Sequence, residues 1–146
     1  MFGEIYNYLY PLYDYCRYLV WEKTNPTPSI RKKTWRQSTE LIIHAHNKDD
    51  YNFIDQNYNR NVLKENTCSH ETLPHPTQKP IKLIKKVVEI ISNKDDLILD
   101  PFAGSGTTAI ACHDLKRNFI CIEKEPEYHA IATKRYNEAK AQLTLF

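Results

Sequence analysis

Apolar positions follow two different rhythms along this chain. After Pro80, residues Ile84, Val87, Val88 and Ile91 keep the i, i+3, i+4, i+7 spacing of one helix face, with Lys82, Lys85, Lys86 and Glu89 on the wet side. Pro80 suits the start of that helix, because the N–H it lacks would have no partner there. Asn93–Asp96 ends the helix, and Leu97–Leu99 reads as a short buried strand. Gly104–Thr108 then turns the chain into a helix from about Thr107 to Leu115. Phe119–Ile122 reads as a second buried strand, and Pro126–Ala139 as a last helix. Residues 80–139 are therefore α-β-α-β-α, the grammar of an α/β fold with a parallel sheet and crossover helices.

The first half is less regular. Ile5, Leu9, Leu12 and Cys16 have helical spacing, but Pro11 interrupts them, so a helix there is short, kinked or begins near Tyr10. Tyr18–Trp21 and Thr39–His46 are strand-like, and the Pro26- and Pro28-bearing stretch Lys23–Ser38 is expected to be a loop. From Asn47 to Pro74, six asparagines (47, 52, 57, 59, 61, 66) and several charges displace the periodicity. This predicts a long irregular excursion with room for one short helix. No internal repeat is present.

Composition narrows the class. The 146 residues suit a single domain spanning 1–146, with 41% hydrophobic and 26% charged residues placing it among globular rather than disordered chains. Three Gly against eight Pro and ten Tyr exclude collagen-like and Gly/Ser-rich sequences. The longest apolar runs are far short of a membrane span. Cys16, Cys68, Cys112 and Cys121 form no Cys-x-x-Cys pair and no signal peptide precedes them. They are expected to be free thiols of a soluble, cytoplasmic protein. His44, His46, Cys68, His70 and His75 lack regular zinc-ligand spacing, so no metal site is expected.

A net charge of +2 conceals a local excess. Lys23, Arg31, Lys32, Lys33 and Arg36 give residues 23–39 a charge of +5 with no acid, and Trp35 lies among them. Such a strip tracks phosphates or is simply a solvated basic loop.

The densest chemistry lies in Leu97-Ile98-Leu99-Asp100-Pro101-Phe102-Ala103-Gly104-Ser105-Gly106-Thr107-Thr108-Ala109, which runs from a strand through a small-residue turn into a helix. Two of the chain's three glycines lie here, where a backbone bends sharply and a ligand can approach closely. Glu123 ends the next strand, where a carboxylate can accept from ribose hydroxyls. A phosphate-binding P-loop would need Lys after the second glycine, and Thr107 stands there. A dinucleotide fingerprint fits formally, as Gly104-x-Gly106-x-x-Ala109 with Glu123 nineteen positions after Gly104. An adenosine-binding methyltransferase loop fits as well.

His75-Pro76-Thr77-Gln78-Lys79-Pro80 separates these two readings. Together with Asp-Pro-Phe-Ala-Gly-Ser-Gly-Thr-Thr at 100–108, it closely resembles the S-adenosylmethionine-dependent DNA amino-methyltransferases, which modify N6 of adenine or N4 of cytosine. Tyr18-Leu-Val-Trp21-Glu-Lys23-Thr-Asn25-Pro26 resembles the strand and loop before that family's target-recognition region, so the likeness covers most of the chain. The order of motifs matches the permuted class, with the glycine loop near the C-terminus. The resemblance implies a Rossmann-like fold with S-adenosylmethionine as cofactor and double-stranded DNA as partner. Asp100, Phe102, Ala103, Gly104, Ser105, Gly106 and Thr107 would line the cofactor. Thr77 and Lys79 would reach its methionine end, and Glu123 its ribose. Lys23, Arg31, Lys32, Lys33 and Arg36 would lie along DNA, and 47–74 would occupy the target-recognition position.

One element of the family is missing. The catalytic Asp/Asn/Ser-Pro-Pro-aromatic tetrapeptide does not occur, because the chain has no Pro-Pro pair, and no catalytic residue is assigned. Asn25-Pro26-Thr27-Pro28 is the nearest string, and it lacks the aromatic. By resemblance, the strand bearing that tetrapeptide is central and is expected before Met1. The chain is thus expected to be the C-terminal part of a partial Rossmann-like methyltransferase fold with a parallel-rich sheet. It would need either a separate N-terminal methyltransferase segment or a homodimer partner. The alternatives are a non-catalytic module that binds S-adenosylmethionine or DNA, and a nicotinamide-dependent oxidoreductase.

Overall fold

The computed structural model describes residues 2–26, 28, 35–48, 60–68 and 78–143. The chain divides into two compact units, Met1–Asn66 and Thr67–Phe146.

In the first unit, helix α1 (Phe2–Leu9) stops ahead of Pro11, whose ring cannot sit inside a helix. Strand β1 (Tyr15–Lys23) pairs antiparallel with β2 (Thr39–His46), with Tyr18 opposite Ile43 and Val20 opposite Leu41. On its other edge β1 pairs in parallel with β3 (Val62–Glu65), giving the order β2-β1-β3. Opposed residues share a face. One face therefore carries Trp21 and Leu63, which are 3% and 8% exposed. The other carries the buried Cys16 and the exposed Tyr18; Tyr6 of α1 stacks on Tyr18 at 4.8 Å and donates its hydroxyl to the Cys16 carbonyl.

Strand β3 lies inside the excursion expected over 47–74 and departs from that expectation. Its only apolar residues are Val62 and Leu63, too few for a period. Its extended state comes from a distant partner. The Val20 N–H donates to the Asn61 carbonyl at 2.7 Å, and the Trp21 indole N–H to the Glu65 carbonyl at 3.0 Å.

The second unit contains α2 (Ile81–Ile91), β4 (Leu97–Asp100), α3 (Thr107–Asp114), β5 (Asn118–Cys121) and α4 (Pro126–Leu143). Strands β4 and β5 are parallel, with α3 as their crossover. Leu83 and Val88 of α2 are each 2% exposed and form the core with Ala109, Ile110, Ala111 and Cys112 of α3. Tyr136 of α4 meets His113 and Phe119 edge-on, at 5.6 and 5.2 Å between ring centres. Arg117 closes the end of α2, donating to the Ser92 carbonyl at 2.8 Å and to its hydroxyl at 3.2 Å.

The strands β4 and β5, expected to be buried, are covered on one face only among the described residues. Ile98, Asp100, Phe119 and Cys121 are half-buried, whereas Leu97, Leu99, Ile120 and, just past β5, Ile122 are 61%, 60%, 50% and 53% exposed. A parallel sheet ordinarily has both faces covered. The apolar residues form strands as expected, but periodicity says nothing about whether a second layer is present. No helix among the described residues is long and apolar enough to cross a membrane.

Candidate functional site

Two parallel strands that end side by side bring Asp100 and Glu123 to the same edge of their sheet, the place where α/β folds take ligands. Pairing continues past β5, since the Ile122 N–H donates to the Asp100 carbonyl at 2.8 Å and the Ala103 N–H to the Ile122 carbonyl at 2.9 Å. Each carboxylate then holds the loop between β4 and α3. Asp100 accepts from the Phe102 N–H at 3.0 Å and from the Thr108 hydroxyl at 2.6 Å. Glu123 accepts from the Gly104 N–H at 2.7 Å and from the Glu125 N–H at 2.9 Å.

Both glycines take the left-handed conformation, Gly104 at φ 54° and Gly106 at φ 76°. For any other residue this would cost roughly 1–2 kcal/mol. Gly106 has a second reason to lack a side chain: a Cβ there would lie 2.8 Å from the Cβ of Ala132 on α4.

The loop also captures the segment before α2. The Thr107 hydroxyl donates to the Lys79 carbonyl at 3.3 Å, which joins the end of the His75–Pro80 motif to the glycine loop. Ser105 and Thr107 are 4% and 6% exposed, while Phe102 is 88% exposed and Lys79 is exposed as well. The loop thus turns an aromatic ring outward and its small residues inward. Thr77 lies outside the described residues. Thr108, Ala132 and Arg135 escaped sequence reasoning. The Arg135 guanidinium donates to the Ser105 carbonyl, and burial lowers its pKa from the ordinary value, with Cys68 and Glu138 opposing.

Two thiols lie behind the loop. Burial, reinforced by Asp100 and Cys112, pushes Cys121 up to about 11. Burial also raises Cys112, against the lowering influence of Arg117. Neither is a thiolate near neutral pH, which removes them as nucleophiles.

Of the basic strip, Lys23 and Arg36 are described and Arg31, Lys32 and Lys33 lie outside the described residues. The Lys23 ammonium is 2.9 Å from Glu40 and lies over the Trp21 ring at 5.4 Å. Trp35 is 97% exposed, and Arg36 is exposed as well. On β2, His44 stacks on His46 and His46 on Tyr15, each at 4.9 Å, while His70 and His75 lie outside the described residues.

A family model described as DNA methylase, that of the N6/N4 methyltransferases, matches residues 14–134. The chain belongs to the N6/N4 DNA methylase family. It is 38% identical to the type II methyltransferase M2.MboI of Moraxella bovis over 82% of this chain and 49% of that one. It is 35% identical to M2.DpnII of Streptococcus pneumoniae over 80% of this chain and 49% of that one. The chain spans about half the length of the curated relatives it matches. Among solved structures it resembles M1.HpyAVI in its SAM complex, with a TM-score of 0.78 and 35% identity over 93% of this chain and 69% of that one. The cytosine-N4-specific PvuII methyltransferase, at 22% identity and a TM-score of 0.67, shares the fold. The methylase fold here is α/β and partial Rossmann-like, with β4-α3-β5 as its parallel unit.

Proposed function

We propose that this DNA methylase chain supplies the cofactor-binding part of an S-adenosylmethionine-dependent methyltransferase that modifies the exocyclic amino group of adenine or cytosine in double-stranded DNA. The observation that carries it is the glycine loop held between Asp100 and Glu123, with the Lys79 segment fastened to it through Thr107. The residues present fit the cofactor. Glu123 brings a carboxylate to the end of the sheet beside the glycine loop, the acceptor type that suits ribose hydroxyls. The exposed ring of Phe102 offers an apolar surface, and the cation of Lys79, with Thr77, suits the methionine end.

S-adenosylmethionine, when bound, supplies an electrophilic methyl group. The chain's own residues bind and orient it: Ala103, Gly104, Ser105, Gly106 and Thr107 through the loop backbone, and Asp100 by fixing that backbone. Bringing donor methyl and amino nitrogen into line is the main source of rate. The base must leave the duplex to be reached. Its amino group is then held by an Asp/Asn/Ser-Pro-Pro-aromatic element, which no stretch of this sequence provides. A polypeptide segment bearing that element, in cis or in trans, would cover the bare face of Leu97, Leu99, Ile120 and Ile122; a second copy of this chain is the other candidate. Arg31, Lys32, Lys33 and Arg36 contribute phosphate contacts in the cytoplasm, and Lys23 contributes less because Glu40 already balances it.

The missing Pro-Pro pair favours a second reading for the chain in isolation, in which it binds cofactor and DNA without chemistry. Calorimetry with S-adenosylhomocysteine and tritium transfer to DNA test both. Binding without transfer is expected from the chain alone, and transfer once the half of M2.MboI that this chain leaves unmatched is added. Failure to bind overturns the cofactor assignment, and stabilisation by NAD in its place would promote an oxidoreductase. Robust transfer by the chain alone overturns the need for the added element.

A further inference from the structure

Three consecutive residues, Ser105 to Thr107, are tied to two other parts of the second unit. Thr107 holds the Lys79 carbonyl, Gly106 lies against Ala132, and the Ser105 carbonyl accepts from Arg135. Ala132 and Arg135 are three positions apart on α4, so they share one helix face. Helix α4 therefore touches the loop twice in adjacent residues, once by steric contact and once by a charge-assisted hydrogen bond.

This double contact fixes a single peptide plane. The Ser105 carbonyl is the acceptor of the Ser105–Gly106 peptide, whose N–H donates to the Ala103 carbonyl at 2.9 Å. With both ends of that peptide engaged and Gly106 held left-handed, the plane cannot flip without losing two hydrogen bonds. Arg135 is half-buried and Ser105 is 4% exposed, so water does not readily replace the bond. A donor that carries a charge is also roughly twice as strong as a neutral one.

We infer that Arg135 is a positioning residue for the cofactor loop: with Ala132 it sets the Ser105–Gly106 peptide from behind, so that the loop is shaped before any ligand arrives. The inference rests on the cofactor assignment above. It also gives Gly106 a different reason to be glycine. The helix behind the loop demands it, independently of any ligand approaching from the front.

The test uses the full chain with Arg135→Met, which keeps the stem and loses every donor, and Arg135→Lys, which keeps the charge and one reach of hydrogen bonding. Affinity for S-adenosylhomocysteine is measured by calorimetry well below the unfolding midpoint, so that global stability does not enter. Arg135→Met is expected to weaken binding about tenfold, the equivalent of one lost hydrogen bond to a charged group, and Arg135→Lys to recover most of it. Amide exchange in the ligand-free chain gives a second readout. The Gly106 amide is expected to exchange faster in Arg135→Met, with β5 amides unchanged. Unchanged affinity in Arg135→Met overturns the inference, as does an unchanged Gly106 amide. If the unaltered chain fails to bind the nucleoside, the cofactor assignment falls, and exchange at Gly106 alone then decides whether Arg135 shapes the loop.

Discussion

The same two strands, β4 and β5, carry a finished end and an unfinished face. At their C-terminal end both carboxylates, the amides of Phe102, Ala103, Gly104 and Gly106, and the half-buried Arg135 guanidinium are engaged. Across their outer face, four aliphatic side chains remain half or more exposed. Among the described residues of this unit, the loop has its partners in place while the outer face of the sheet stays uncovered. The shaping of the loop is thus separable from whatever packs on the face.

Substitutions can break this contrast, and the largest effect belongs to Gly106→Ala. It combines a left-handed φ with a Cβ driven into Ala132, for a cost of about 2–4 kcal/mol. Chemical denaturation is expected to show that loss, together with abolished binding of S-adenosylhomocysteine. Thr108→Val comes next, because it removes the hydroxyl that holds Asp100 while preserving shape. About 1–2 kcal/mol is expected in the same assay, and a value near zero would show that the Thr108 hydroxyl does not hold Asp100.

The covered and bare sides of β5 can be compared by pH. Cys121 is held protonated to about 11, above its ordinary 9.0. Between those values the unfolded chain loses a proton that the folded chain keeps. Folding stability is therefore intact below about 9, falls as pH rises towards 11 and levels off above it. The fall is on the order of 1 kcal/mol once partial solvent exposure is discounted. Cys121→Ala is expected to remove that component of the alkaline slope in a denaturation series. Smallest is the paired change Leu99→Ser and Ile120→Ser on the bare face, each expected to stay within about 0.5 kcal/mol of the unaltered chain. The pair is nonetheless expected to suppress transfer in the complementation experiment.

Local pattern made most of the second unit legible. The helix after Pro80, the two short strands and the glycine turn are visible because apolar period, proline and glycine agree there. Asp100 and Glu123 could be picked out as candidates because such a pattern ends both strands on carboxylates at one end of the sheet. Arg135 and Ala132 could not, since their partners lie 26 to 30 residues upstream and α4 has a largely polar sequence in which one arginine resembles its neighbours. A hint existed in Gly106, whose need for glycine asks what stands behind it. Strand β3 was hidden for a similar reason: Val62 and Leu63 become a strand only against Trp21, more than forty residues away. The bare face was equally invisible, because Leu97 and Leu99 look the same whether or not a second layer covers them.

That exposed aliphatic row has a consequence for dosage. A surface of this kind adheres to its own copies when nothing else occupies it, so the concentration at which the chain stays monodisperse has a ceiling. Light scattering across a dilution series is expected to show that ceiling and to show it rise when the row is made polar. In a cell, synthesis of this polypeptide beyond the supply of whatever covers it would draw on chaperones and proteases, which makes stoichiometry a property of the sheet.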